Sequence, residues 1–222
     1  MPVAAIAPRL YVDSADVERV SRLLAARVVH GVTTNPTILE RGGCSAAQIP
    51  ELYARWEGEG APEIFFQTWG GSAAEMLRNA DATRALGDRA AVKVPATAAG
   101  FAAASALVAD GASVLVTAVY SVGQALAAAS IGARYIAPYL GRLRDAGVDG
   151  DALIARMQEV CAGSETNVLA ASLRSADDIV SLRMAGVPYF TAAPDVLDAL
   201  LQHDVSDSSA AEFEAAMGRI GA

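Results

Sequence analysis

One residue in this chain stands out for its chemistry: Lys93, in the stretch AAVKVPATAAG at 90–100. The sequence has 17 Lys plus Arg, and counting letters shows that sixteen are Arg, so Lys93 is the one lysine. It sits between Val92 and Val94 in a run that reads as a strand stopped by Pro95. A lysine in such a strand must carry its ammonium to an open end or lose the charge, because an isolated buried charge is very costly. A desolvated lysine has a lowered pKa and is a neutral nucleophile near neutral pH. Arginine cannot take its place, since the guanidinium stays protonated and forms no imine with ketones. Schiff-base catalysis is the natural inference, and it needs no metal or cofactor.

The elements that must position this lysine are visible as short apolar, β-branched runs between Ala/Leu/Arg-rich stretches of helical period. Eight runs read as strands: 10–13, 28–34, 63–68, 90–94, 113–118, 135–139, 167–172 and 189–193. Ala15–Arg27 reads as a helix with Val17, Val20 and Leu24 on one face. Ser72 and Glu75 form a capping box that opens the helix after the third strand. Gly111, Gly132 and Gly186 each stand between a helix and the next strand, where a left-handed C-cap is expected. Eight β–α units in 222 residues predict an α/β fold, a single (β/α)8 TIM barrel over 1–222. A doubly wound sheet is the alternative, but no Gly-rich dinucleotide loop follows the first strand. An additional C-terminal helix is expected over 208–218, with Ser209 and Glu212 as a second capping box and Phe213, Met217 and Ile220 as an apolar stripe. That stripe either covers its own barrel or docks on a neighbouring subunit.

In such a barrel the chemistry sits at the C-terminal ends of the strands. Polar residues end seven consecutive strands: Asp13; Thr33, Thr34 and Asn35; Gln67; Lys93; Thr117; Tyr139, with Arg142 just beyond; and Ser172, followed by Arg174. Taken singly, each has a plain structural reading. Asp13 and Asn35 suit turns and caps, and the arginines suit a solvated surface. Their convergence on one end of the barrel makes the case. Asp13, Gln67, Lys93, Thr117 and Tyr139 are the candidates for catalysis, and Thr34, Asn35, Arg142, Ser172 and Arg174 for substrate binding. A phosphate is expected at Ser172, Arg174 and the helix start at Ser175, with Arg142 closing the site as a fork.

The bulk properties are consistent with this. Hydrophobic residues make up 53% and charged residues 19%, so the chain can fill a core. A net charge of −8 argues against nucleic acid but leaves room for a small phosphorylated substrate. Cys44 and Cys161 are not spaced as a metal or redox motif, and His30 and His203 lie far apart, so no metal site is expected. The opening MPVAAIAPRL lacks the basic region of a leader, and no run approaches a membrane span. A soluble, cytoplasmic protein with no membrane partner is the expectation.

Six segments carry a resemblance: LYVDSADV (10–17), GVTTNPTIL (31–39), AVKVPATAAG (91–100), TAVYS (117–121), YIAPYLGR (135–142) and VLAASLR (168–174). With these, nearly the whole chain resembles the small transaldolase and fructose-6-phosphate aldolase family of class I barrel enzymes. The resemblance implies that Lys93 forms the Schiff base, with Asp13 and Asn35 ordering the donor hydroxyls and the amine. It implies a proton-moving water held by Gln67 and Thr117, and an acceptor phosphate at Arg142, Ser172 and Arg174. It also implies pentamers that pair into decamers, with the C-terminal helix reaching across subunits. Two positions separate the branches. Transaldolases carry Glu on the third strand and Pro-Phe on the sixth, aldolases Gln and Pro-Tyr; this chain has Gln67 and Pro138-Tyr139. A phenol can pass a proton through water where a carboxylate is missing. Trp69, in TWGGSAAE, and Arg144, in GRLRDAG, depart from the family pattern and bear on which acceptor fits.

The expectation is therefore a cofactor-free class I aldolase that joins a dihydroxyacetone-type donor to glyceraldehyde 3-phosphate or another aldehyde, giving a ketose such as fructose 6-phosphate. The alternative is a transaldolase that moves the same unit between sugar phosphates. A third reading, a sugar-phosphate binder without catalysis, is opposed by the intact Lys93.

Overall fold

The computed structural model describes residues 7–221. The opening MPVAAI, part of the stretch read above as lacking a leader, lies outside them. Among the described residues the strands close into one parallel barrel in chain order: β1 (Arg9–Asp13), β2 (Gly31–Thr33), β3 (Glu63–Gln67), β4 (Ala90–Pro95), β5 (Val114–Val119), β6 (Tyr135–Pro138), β7 (Asn167–Leu173) and β8 (Tyr189–Ala192). The first strands are followed by α1 (Val17–Ala25), α2 (Pro36–Arg41) with α3 (Ile49–Gly58), α4 (Ala73–Arg84), α5 (Ala98–Ala109) and α6 (Val122–Ser130). The last three are followed by α7 (Leu140–Asp145) with α8 (Gly150–Cys161), α9 (Ala176–Met184), and α10 (Pro194–Leu201) with α11 (Asp204–Ile220). The (β/α)8 barrel expected from the alternating pattern is the fold found. No helix among the described residues is long and apolar enough to cross a membrane.

The first helix is shorter than the expected Ala15–Arg27: Asp16 caps α1, accepting from the Arg19 amide, and Arg27 ends the turn beyond it in the left-handed region at φ 56°. Ser72 and Glu75 form the reciprocal box at the start of α4. Gly111, Gly132 and Gly186 have φ of 78°, 77° and 92°, the left-handed geometry that closes each helix before its next strand. The second strand is shorter than the run 28–34. Its ladder stops at Thr33, because Asn35 leaves the sheet to cap α2, accepting from the Ile38 amide at 3.0 Å.

Alternation along the strands sorts the core into two layers. Val32, Ile64, Phe66, Val92, Val94, Val114 and Val116 pack outward with helix residues such as Val20, Leu23 and Trp56. Tyr11, Phe65, Leu115, Tyr135, Leu169 and Tyr189 fill the interior. Their rings meet edge to face, Phe65 on Tyr135 at 5.6 Å and Tyr135 on Tyr189 at 5.9 Å between centroids. At the lower end of the barrel the buried Glu63 carboxylate accepts from the hydroxyls of Tyr11 (2.7 Å) and Tyr135 (2.8 Å) and pairs with Arg134 (2.9 Å). Burial, with Glu63 nearby, pushes the Tyr135 phenol up to about 12.

The C-terminal helix corrects the sequence reading. It begins at Asp204, with His203 as N-cap, so Ser209 and Glu212 lie inside it and cap nothing. None of its residues is buried, and Phe213 and Ile220 are 69% and 76% exposed. The stripe therefore does not cover its own barrel.

Gly31 shows how closely β2 and β3 approach: a Cβ there would lie 2.1 Å from the Glu63 carbonyl oxygen. Gly31→Ala should cost about 3 kcal/mol of stability, measured by urea unfolding, because the backbone must part to admit the methyl. An unchanged midpoint would show that β2 can move away freely.

Candidate active site

The upper end of the barrel opens into a cavity of about 440 Å³, within the range of small-molecule sites. Lys93 is buried in its floor at 3% exposure. The register sets Lys93 beside Gln67 of β3 and Leu115 of β5. Its valine neighbours belong to the outer layer, so the pleat turns Lys93 inward by the alternation that packs them outward. Asp13, Gln67 and Thr117 line the same cavity as the last inward positions of β1, β3 and β5. Tyr139, just past β6, completes this group; its hydroxyl lies 2.9 Å from that of Thr117.

A chain of hydroxyls fixes Asp13. Thr33 donates to its Oδ1 at 2.6 Å, and the Thr191 hydroxyl lies 2.5 Å from that of Thr33. With its one proton given to Asp13, Thr33 must accept from Thr191. Burial pushes the Lys93 ammonium below the usual lysine range, opposed by the charge of Asp13. Burial likewise raises the Asp13 carboxyl, opposed by Lys93 and by the Thr33 hydroxyl. Low polarity thus favours the neutral form of both groups, and a neutral amine is accessible where free lysine is still protonated. Burial also raises the Tyr139 phenol, so it stays protonated as a donor.

Asn35, Arg142 and Ser172 reach the cavity as expected. The Asn35 carbonyl is engaged in the helix cap, which leaves its NH2 for a ligand. Ser172 arrives by a route the alternation does not give. It lies in a bulge of β7 with φ 57°, where the register shifts between Ala170 and Leu173. Ala118 lies in a matching bulge of β5, also at φ 57°, and lines the same cavity. Such bulges re-aim side chains beside functional sites, at the cost of backbone strain in non-glycine residues.

Two expected residues are not brought to the cavity. Thr34 points outward and gives its hydroxyl to the Phe65 carbonyl at 2.8 Å, because it is one residue out of phase with Thr33. Arg174 is held by both oxygens of Asp145 at 2.8 and 2.6 Å. The helix start at Ser175 is no better placed for an anion, since the Asp178 carboxylate already accepts from the amides of Arg174 and Ser175. Arg144 is held by Asp151 and Asp178. Trp69 is half exposed and lines a separate apolar groove with Leu39, Cys44 and Ile49. Sequence reading missed Thr191 as a support for Thr33, and it missed Arg41. Arg41 lines the cavity with Thr37 and Ile38 at helical spacings of four and three, and that spacing was the available signal.

The single lysine permits a direct test of these electrostatics. In protein labelled with ¹⁵N-lysine, the one side-chain signal should titrate below the usual lysine pKa. Asp13→Asn should lower it further, because the neighbouring negative charge that favours the ammonium is gone. An unshifted value in Asp13→Asn would show that the two groups are not coupled.

Comparison with known proteins bears on the family and the fold. The model of the family described as Transaldolase/Fructose-6-phosphate aldolase matches residues 10–220. A probable transaldolase of Hyphomonas neptunium is 34% identical over 216 residues, covering 96% of this chain and 98% of the relative. One from Methanococcus maripaludis is 34% identical over 218 residues, covering 95% and 100%. Among solved structures, a thiamine phosphate pyrophosphorylase from Pyrococcus furiosus aligns with a TM-score of 0.61 at 18% identity, covering 83% of this chain and 85% of that one. A putative dihydrodipicolinate synthase family protein from Coccidioides immitis aligns at 0.65 with 14% identity, covering 86% and 68%. These structural likenesses carry the barrel fold alone. The family match and the near full-length relatives go further: the chain belongs to the transaldolase/fructose-6-phosphate aldolase family.

Proposed function

We propose that the protein is a class I, Schiff-base-forming enzyme that breaks and makes the carbon–carbon bond of a ketose phosphate, with a dihydroxyacetone-type unit held on Lys93. The observation that carries this reading is the chain's one lysine, buried in the floor of the cavity and coupled to Asp13. The neutral amine of Lys93 attacks the ketose carbonyl carbon, and loss of water gives an iminium that serves as electron sink. A base takes the proton of the hydroxyl on C4, the C3–C4 bond breaks, an aldehyde leaves, and the electron pair stays on the bound unit as an enamine. Tyr139 and Thr117, hydrogen-bonded to each other, move these protons through a water that Gln67 helps to hold. Asp13 and Asn35 orient the donor hydroxyls, and Arg142 with Ser172 receives the phosphate of the aldehyde half. The enzyme acts in the cytoplasm without a cofactor.

The enamine has two outcomes. In a transaldolase it attacks a second sugar-phosphate aldehyde; in an aldolase it is protonated and hydrolysed, releasing the free donor. The relatives at 34% identity are named probable transaldolases, which supports transfer as the leading reading. Gln67 and Tyr139, in place of a carboxylate and a phenylalanine, favour release as the second. Incubation with fructose 6-phosphate followed by borohydride should add one three-carbon adduct at Lys93, aside from the N-terminal amine, and Lys93→Arg should lose it with the activity. Free dihydroxyacetone accumulating from fructose 6-phosphate alone would favour release; a new ketose formed only when a second aldehyde is added, without free dihydroxyacetone, would favour transfer. Tyr139→Phe should lower turnover by about 100-fold. No adduct, or full activity in Lys93→Arg, defeats the mechanism.

The bare face of α11 supports a further reading: the helix docks on a neighbouring subunit in a homo-oligomer, a pentamer or decamer. Phe213, Met217 and Ile220 are exposed on it, and apolar surface of this kind favours association. Light scattering should return several subunits, and Phe213→Glu should lower the mass. A monomeric native protein would remove the inference.

A further inference from the structure

Two strands flank β1 in the closed barrel, β2 on one side and β8 on the other. The register sets Thr33 beside Asp13 and Thr191 beside Tyr11, so the two threonines come to Asp13 from opposite sides of its strand. Both are buried, and their hydroxyls meet at 2.5 Å. A threonine has one hydroxyl proton. Thr33 gives its proton to Asp13 at 2.6 Å, so the proton of Thr191 points to Thr33, and the chain runs one way from β8 through β2 to β1. Packing does not ask for a hydroxyl at 191, since valine has the same branched shape and suits a strand as well. Burying a hydroxyl costs free energy that its hydrogen bond must offset, and here that bond goes to Thr33.

The charged and titratable groups that face Asp13 are Lys93 of β4 and Tyr139 past β6. Burial keeps the Tyr139 phenol protonated, so it brings no charge. Lys93 supports the Asp13 carboxylate only while it is itself positive. In the Schiff-base reading above, Lys93 is a neutral amine when it attacks and is positive again once the iminium has formed. While the amine is neutral, burial drives Asp13 towards the uncharged acid, and the hydrogen bond from Thr33 is the influence left that favours the anion. A hydroxyl that accepts a hydrogen bond is polarised into a stronger donor, so Thr191 reaches the carboxylate through Thr33 without touching it.

We propose that Thr191 is a positioning residue for the chemistry at Lys93: acting through Thr33, it keeps Asp13 an oriented anion while the amine is neutral, so that a negative charge is in place when the iminium forms. This rests on the Schiff-base reading above. The arrangement requires Thr191 and Thr33 to act as one unit, because Thr191 has no route to Asp13 except the Thr33 hydroxyl. It also requires the effect to lie in the reaction step. Thr191 borders the cavity, but its proton is turned to Thr33, which leaves ligand affinity to other side chains.

The test is borohydride trapping of fructose 6-phosphate on Lys93, read by mass, in the full-length native protein and in Thr191→Val, Thr191→Ser, Thr33→Val and the double valine variant. Thr191→Val should lower the maximal trapping rate about tenfold, with the half-saturating concentration within about twofold. Thr191→Ser, which keeps the hydroxyl and loses the methyl, should hold most of the native rate. The double variant should be no slower than Thr33→Val alone, since residues of one chain are not additive. The ¹⁵N signal of Lys93 should titrate lower in Thr191→Val, the direction expected for Asp13→Asn, because a less ionised Asp13 supports the ammonium less. Native rate and native Lys93 titration in Thr191→Val overturn the proposal while leaving the Schiff base intact. So do an equal loss in Thr191→Ser and Thr191→Val, which would mark a packing role, a loss confined to half-saturation, which would place Thr191 on the ligand, and additive losses in the double variant. Absence of any Lys93 adduct in the native protein overturns the Schiff-base reading together with it.

Discussion

Burying one ammonium inside a barrel is the constraint around which the rest of this structure is arranged. Lys93 is 3% exposed, and an isolated charge in that position would be prohibitively expensive. The barrel meets the cost in two ways. It places Asp13 across the interior, so that a charged form has an opposite charge to answer it, and it keeps the polarity low enough that the neutral form competes. Removing either partner would leave the other buried and uncompensated. The hydroxyls of Thr33 and Thr191 spend their hydrogen bonds on holding Asp13 in place.

The same interior has a second buried ionic centre at its lower end. Glu63 is satisfied by two tyrosine hydroxyls and Arg134 and lies below the aromatic layer of Tyr11, Phe65, Tyr135 and Tyr189. That layer separates the two polar regions. It gives the cavity an aromatic floor, over which burial perturbs Lys93 and Asp13, and it leaves Glu63 to a structural task. The geometry assigns the two ends different work, as expected for a barrel whose upper face carries the chemistry and whose lower face carries stability.

Most of this was legible in the chain. The eight β–α units, the left-handed glycines, the capping box at Ser72 and the strand-end residues Asp13, Gln67, Lys93, Thr117 and Tyr139 all lie where periodicity and turn chemistry put them. What failed did so for identifiable reasons. Thr33 and Thr34 are the same residue type side by side, and only the pleat register decides that one faces Asp13 and the other the Phe65 carbonyl. Ser172 reaches the cavity through a left-handed bulge at a residue that gives no glycine-like warning. Arg174 reads as a phosphate ligand until Asp145, 29 residues earlier, is seen to hold it. The start of α11 was misplaced because a Ser-Ala-Ala-Glu pattern looks the same inside a helix as at its beginning.

The sequence by itself determined the architecture, the family and the one lysine on which the proposed chemistry rests, because those follow from local periodicity, from motifs in fixed order and from a residue type that appears once. The tertiary structure alone decided which neighbour of each pair faces inward, which arginines are already spent on aspartates and which remain free, and that Arg41 and Arg142 confront each other across one cavity. Those outcomes depend on strand register, on bulges that break the alternation and on ion pairs between distant segments, and none of these is written in the spacing of residues along the chain.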